Sequence, residues 1–445
     1  MIDNHKLLVN NNNNNNNNII LQYSIHNNMS DLNPITDPDT RDISGPVNII
    51  RLEGNIHGIN KIIYLFMDYH MPVTSQTQCA NVFSPDVQKY FAKNFYKLTE
   101  GSQTYDFFLE IYPSELADTR YRKGTVLKDY KEKYIEEVVN FFRKIFKYDS
   151  KKNKVSVNKL FKNVRLHYLD VRDYYKHNLF NKISEMSDIA HNFMRNDDIN
   201  VNDLDHIIQL MYVMGDHIQL IIDILSEPIN KVPKTKIIQT AQDNLDMQAL
   251  EYLTNKIKNI YNHNDVKKVM NMLIKNSIKN FQLTIRELND AIKEFTGYAD
   301  TIQRSYNKLV RDENTSYLYT YGISSSTIRQ MITNITNKVE SLIDERFVEF
   351  FARFTDIYFL RRFLDKDYIT NAIVYSGALH SNTYIHILVN YFDFKITNAS
   401  YSSIKDMDKL TNAIKNKSVM EIQPLILPER LVQCSNMDDF PQEFL

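Results

Sequence analysis

Apolar residues recur along this chain with two different periods, and the change of period divides it. Short runs of β-branched and aromatic residues bounded by polar turns predict strands. They are VNIIRLEG (47–54), KIIYLFMDYH (61–70), YDFFLEIYP (105–113), VRLHYLDVRD (164–173) and, much later, 371–376 and 391–397. The intervening NIHGIN predicts a hairpin or neighbouring strands. Helical spacing separates the other runs. In 84–98, Val87, Phe91 and Phe95 follow a Ser-Pro-Asp start at four-residue intervals, 126–146 is amphipathic, and 382–390 reads as a short helix. Strands alternating with helices imply βαβ units.

From about Tyr174 to Asp365 nearly every segment carries the helical period. Ile278, Phe281, Ile285, Leu288, Ile292 and Phe295 form one stripe; Ile328, Met331, Ile332, Ile335, Val339, Leu342 and Ile343 form another within 326–364. Stripes of this length predict a bundle or antiparallel helical hairpins. The expected fold class is α/β: a largely parallel sheet with flanking helices, interrupted by a large all-helical insertion. The expected divisions are an Asn-rich disordered N-terminus (1–45), the first part of the α/β domain (46–175), the helical insertion (176–365), the second part of the α/β domain (366–422) and an extended or disordered tail (423–445). The N-terminal reading rests on the Asn10–Asn18 run and the polar text after it, which cannot bury enough apolar area to offset chain entropy.

Composition narrows the class. With 445 residues, 43% hydrophobic and 24% charged, the chain is an ordinary globular protein. A formal net charge of -1 gives no reason to expect nucleic acid or a membrane surface as partner. Two cysteines, Cys79 and Cys434, exclude a disulfide framework and a Cys-rich zinc module, and fit a reducing compartment. No apolar run approaches the ~18 residues that span a bilayer, and no cationic segment precedes an apolar one at the N-terminus. A cytoplasmic location is expected, host cytoplasm or virion if the protein is viral. Asn, Ile, Lys and Tyr, all with A/T-rich codons, are abundant, as in an AT-rich genome.

The candidate chemistry lies where strands end, because open α/β sheets bind ligands outside the carboxyl ends of their strands. Four strand ends turn polar: Asp68, Tyr69 and His70; Glu110; His167, Asp170, Arg172 and Asp173; and Tyr375, Ser376, Gly377 and His380. Two imidazoles with one or two carboxylates suit Mn, Fe, Co or Zn, or general acid–base chemistry without metal. Arg172 suits a substrate carboxylate or an oxyanion. Taken singly, each residue has a structural reading: a hydrogen-bonded histidine, a paired acid, a capping Asp170, a tight turn at Gly377. Their recurrence at successive strand ends favours a joint site. His206, His217 and His386 read as packed or surface residues. No phosphate-binding loop, dinucleotide fingerprint, serine-hydrolase elbow, kinase set or His-Glu-x-x-His is present.

YSGALH (375–380), followed by a helix and a strand, resembles the second Gly-x-x-His motif of the TraB/Tiki/ChaN/erythromycin-esterase superfamily. MDYH (67–70) stands in place of the first, with Met67 where the superfamily has Gly, and FFLE (107–110) supplies the Glu that ends the next strand. The same elements, with HYLDVR (167–172), resemble a group of giant-virus proteins of no assigned activity. The likeness covers roughly 60–175 and 368–400. It implies His70, Glu110 and His380 as central site residues, Asp68 as a fourth, and a metal-dependent hydrolase among several activities. The leading expectation is a hydrolase-like site acting on a small molecule or peptide: His70, Glu110, His380 and Asp68 about a divalent metal, Glu110 otherwise a general base, and Arg172 orienting substrate. The rival is a catalytically inactive virion or host-interaction protein that self-associates through its long helices.

Overall fold

A computed structural model describes residues 38–73, 79–110, 134–149, 154–155, 158–171, 179–226, 241–311, 323–442 and 444. Strand β1 (Asp42–Ser44) leads into β2 (Asn48–Ile56) and β3 (Ile59–Asp68), which pair antiparallel as the predicted hairpin. Helix α1 (Val87–Lys97) starts where the sequence signalled, with the Asp86 carboxylate accepting from Gln88 N at 2.9 Å. Then come β4 (Tyr105–Leu109), α2 (Tyr134–Phe146), a two-stranded ribbon of β5 (Tyr148–Asp149) and β6 (Lys154–Val155), and β7 (Val164–Tyr168).

The helical region contains α3 (Asn181–Asn196), α4 (Val201–Ser226), α5 (Ala241–Lys258), α6 (Asn264–Arg311), α7 (Ser325–Ser341) and α8 (Val348–Asp365). A π-helical segment, Leu342–Phe347, joins the last two into one rod. The chain returns through β8 (Asn371–Gly377), α9 (Ala378–Phe392), β9 (Lys395–Ala399), α10 (Met407–Ile414), α11 (Val419–Ile426) and β10 (Cys434–Asn436).

The main sheet has the order β7-β4-β8-β3-β2-β9. Its β7-β4-β8-β3 block is parallel, but β2 pairs antiparallel with both β3 and β9. The expected largely parallel sheet is therefore corrected to a mixed one, because a tight turn at Gly58 can only reverse the chain, placing β2 against β3 in the opposite sense. Side chains alternate across the sheet as a two-residue period requires. Tyr64, Phe66, Tyr105, Phe107, Leu109, Ile373 and Tyr375 pack under α1 and α2. Ile63, Leu65, Met67, Phe108, Ala372 and Val374 face the helical region.

Strand β8 arrives some two hundred residues after β7 and enters the middle of the sheet, between β3 and β4. Asp68 lies opposite Gly377, and Leu109 opposite Tyr375. The carboxyl ends of β3, β4 and β8 are thereby level. Lys61 anchors this insertion. It is 1% exposed, and its ammonium donates to the carbonyls of Lys366 (2.9 Å) and Ile369 (2.5 Å) just before β8. Burial lowers its pKa to about 8 against the pull of Asp367, Asp106 and Asp365. A Lys61→Met substitution keeps the stem but leaves both carbonyls without this donor, so urea denaturation should show a loss of about 1–3 kcal/mol.

The apolar stripes of the helices are spent inside the chain. Ile328, Met331, Ile332, Ile335 and Val339 are buried, with α7 lying on α3. Helix α4 is long and apolar enough to cross a membrane by length and composition, which the run-length reading did not anticipate. It packs along α6, and 56% of its apolar window is buried there and against other helices.

The Asn run and the rest of 1–37 lie outside the described residues. The segment read as a tail is tied down: β10 pairs with β1, the Arg41 guanidinium donates to the carbonyls of Asp438, Phe440 and Pro441, and Phe440 and Phe444 are buried. Cys79 and Cys434 form a disulfide with Cα atoms 5.0 Å apart. The two cysteines are therefore paired, although their number alone fitted a reducing compartment. The β1–β10 pairing brings Cys434 to the loop that follows His70, which spacing alone could not reveal.

Candidate functional site

Strand β3 ends at Asp68, and the chain turns sharply, with His70 in the left-handed region at φ 54°. Non-glycine residues rarely hold that conformation without local support. The buried Asp68 carboxylate supplies it: Oδ2 accepts from His70 N at 2.5 Å and from His70 Nδ1 at 2.6 Å, while Oδ1 accepts from the Tyr375 hydroxyl at 2.8 Å. The imidazole is pinned by one nitrogen, and Nε2 is aimed elsewhere.

Its target is Glu110, one residue past β4. Glu110 N donates to Tyr375 O at 3.2 Å, so the parallel ladder continues to the site. Glu110 Oε1 lies 3.2 Å from His70 Nε2 and 3.4 Å from His380 Nε2. The other oxygen, Oε2, accepts from Gly377 N, the N-cap of α9. A carboxylate on orphan amides at a helix start is electrostatically favourable. Gly377 has an ordinary extended φ, so its role is closeness. A Cβ there would stand 3.2 Å from Glu110 Oε2 and 3.3 Å from the His70 ring.

His380 is the third residue of α9. Its Nδ1 donates at 2.7 Å to Oδ1 of Asp356, which comes from α8 and is almost fully buried. The site is therefore symmetric in its logic. Two imidazoles each have one nitrogen fixed on a buried carboxylate and the other directed at one oxygen of Glu110. Carboxylates in this outer position fix the tautomer and orientation of a histidine.

The charges are strongly coupled. Burial alone would depress the His70 imidazole, but the Glu110 charge and hydrogen bonds from Asp68 and Glu110 raise its pKa to about 9. His380 is likewise raised well above the imidazole range: Glu110 and Asp356 outweigh burial. Glu110 is held well below the carboxylate range because the two imidazoliums outweigh its desolvation. Glu110 and the two imidazoles thus favour one another's charged forms.

The sign of the pH effect follows. The imidazole contributions to stability are complete below about pH 6.5 and are lost as pH rises through about 9 for His70. The Glu110 contribution is present above about pH 4.5 and lost as pH falls through its folded value. Metal-free protein should lose stability from about pH 6.5 to 9 in urea titrations, and Glu110→Gln protein should show a smaller decline, since Asp68 and Asp356 remain.

The structure thus brings His70, Glu110 and His380 together. Asp68, expected as a fourth ligand, holds the far nitrogen of His70 instead. Arg172 and Asp173 lie outside the described residues. His167 belongs to another cluster: Nε2 contacts Asp106 at 2.6 Å beside the Arg165–Asp106 pair, and the ring stacks on Phe108. Met67 is wholly buried within β3, in the core facing the helices. Asp356 escaped the sequence reading. Its signal was a lone acid in the aromatic stretch FTDIYFL, where Ala352, Phe359 and Leu360 share its helix face.

Among the described residues, no group of three or more His, Cys, Asp or Glu stands as a ready metal cage. The three converging donors are in contact with one another instead. Glu110 Oε1 stands 3.2 and 3.4 Å from the two Nε2 atoms, the distances of charged contacts rather than of an open cage.

A family model described as a family of unknown function, DUF5847, matches residues 41–445. "Uncharacterized protein R706" of Acanthamoeba polyphaga mimivirus is 56% identical over 419 residues, covering 94% of this chain and 100% of its own length. "Uncharacterized protein R161" of the same virus is 36% identical over 440 residues, covering 92% of this chain and 99% of its own. No solved structure matches the chain significantly. The likeness to giant-virus proteins is supported. The matched model is not the TraB/Tiki superfamily, so that finer resemblance stands on the site residues alone.

Proposed function

Because the chain belongs to the giant-virus family of unknown function DUF5847, its chemistry has to be read from its own site, and we propose that His70, Glu110 and His380 form a metal-assisted hydrolytic centre. One observation carries this reading. Two imidazole Nε2 atoms converge on a single carboxylate oxygen, each imidazole being locked from behind by its own buried carboxylate. A merely structural ion pair does not need two histidines oriented so completely.

His70, His380 and Glu110 would hold the ion, and exchanging two imidazolium protons for one divalent cation conserves the charge of the site. Mn, Co, Fe or Zn suits this donor set, and a bound ion would supply a water of lowered pKa. Asp68 and Asp356 keep the imidazole Nδ1 atoms protonated and the Nε2 atoms free to ligate. Tyr375 holds Asp68, and Gly377 lets Glu110 approach the start of α9. The His70 side chain is 30% exposed, against 12% for His380, so substrate approaches from the His70 side. Without an ion, Glu110 would stand where it can accept a proton once an imidazole is neutral. The superfamily resemblance points the same way, toward peptide or ester bonds.

The test is hydrolysis of fluorogenic peptides and nitrophenyl esters by protein loaded with Zn, Mn or Co, beside His70→Ala and His380→Ala. Turnover in the loaded wild type that both substitutions reduce at least a hundredfold is expected. Equal turnover in folded variants would overturn the proposal.

A further inference from the structure

Behind Asp356, on the side of His380 turned away from Glu110, the helical region encloses a half-open cavity of about 190 Å³. It lies between α6, α8 and α9, with Val419 of α11 at its edge. Leu273, Ile357 and Ile387 give it apolar walls, and Arg353, Asn276 and Tyr391 bring polar groups to it. The hydrolytic reading makes no use of this space, because His70, Glu110 and His380 do not line it.

Arg353 decides what it can hold. Its Nη2 donates to Glu349 Oε1 at 3.1 Å, while Nη1 stands 3.6 Å from Asp356 Oδ2, beyond hydrogen-bond reach. A guanidinium carries five donors in a planar fork, and Arg353, partly exposed and shared between Glu349 and Asp356, lines the cavity with donors beyond those two contacts. Glu349 is also occupied by Asn280 Nδ2 at 2.8 Å. A planar carboxylate matches the fork in two contacts. The apolar walls set the rest of the ligand, since a dry cavity of roughly 150 Å³ accepts a benzene ring.

We propose that this cavity binds a small carboxylate with an apolar body of about 4–6 heavy atoms, its head on Arg353 and its body against Leu273, Ile357 and Ile387. Arg353 also neighbours the acid that holds His380. A bound carboxylate draws the guanidinium away from Asp356, so occupancy is felt at His380, and the coupling is reciprocal.

Calorimetry on the full chain with benzoate, isovalerate, benzyl alcohol and benzylamine tests this. One carboxylate per chain is expected, bound at least tenfold more tightly than the alcohol or the amine, and weakened at least tenfold by Arg353→Gln and by Val419→Phe, which plugs the rim. Binding should persist in His380→Ala, so failure of the hydrolytic reading leaves this one standing. The His380 ring-proton resonances should shift on saturation with the better carboxylate. Absence of saturable binding by both carboxylates at about 10 mM, tighter binding of the amine or alcohol, or binding unchanged in both cavity variants would overturn the site. A bound carboxylate that leaves the His380 resonances unmoved would overturn the coupling.

Discussion

If the proposed metal-assisted centre is right, a Glu110→Gln protein should fold yet lose divalent-metal affinity and hydrolytic turnover by at least a hundredfold. The amide keeps the shape of the side chain, and its oxygen can still accept from Gly377 N, so the start of α9 keeps its cap. What disappears is the charge that the two Nε2 atoms share. The imidazoles then lose the largest of the interactions that raise them, while Asp68 and Asp356 still support their charged forms. Removing one partner of a buried pair costs about 3–5 kcal/mol when the remaining charge cannot relax. Here the imidazoles can neutralise, so the loss in metal-free protein belongs near the lower end. The gap between wild type and variant should narrow above about pH 9, where His70 is neutral in both. Urea midpoints across pH, read beside metal titrations, check both parts. Unchanged metal affinity in the folded variant would remove Glu110 from the site.

Reduction of the Cys79–Cys434 bond is the second large effect. The bridge spans 355 positions of sequence, and chain entropy alone assigns a closure of that length roughly 5–6 kcal/mol, an upper figure. The β1–β10 pairing and the Arg41 contacts hold the same ends together and retain part of the structure after reduction. A Cys79→Ser, Cys434→Ser double variant, or wild type in strong reductant, should therefore melt several degrees lower. The loosened part should be the stretch 79–86 before α1 together with the C-terminal strand, seen as faster amide exchange there. Equal melting temperatures with and without reductant would show that the bridge adds nothing to the fold.

Much of the site was legible because of where residues stood in a pattern. His70, Glu110 and His380 each follow an apolar run whose period marks a strand, and strand ends are where an α/β sheet presents chemistry. Asp356 was hidden because its partner lies 24 positions away on another helix, and nothing in FTDIYFL names that partner. The place of β8 between β3 and β4 was equally hidden. Periodicity says that a strand exists but not which neighbours it takes, and those neighbours alone bring His380 to Glu110. The antiparallel placement of β9 on β2 is of the same kind, fixed by tertiary pairing. Met67 shows the reverse error. It stood out as a departure from a motif, whereas its strand position turns it into the core.

The most direct test of the account is calorimetric titration of metal-stripped protein with Zn and Mn, in buffers of different ionisation enthalpy, beside His70→Ala and His380→Ala. The account predicts one ion per chain, proton release on binding because both imidazoles must deprotonate to ligate, and loss of binding in each variant. A folded wild type that takes up no ion, or binding that survives both substitutions, would contradict it.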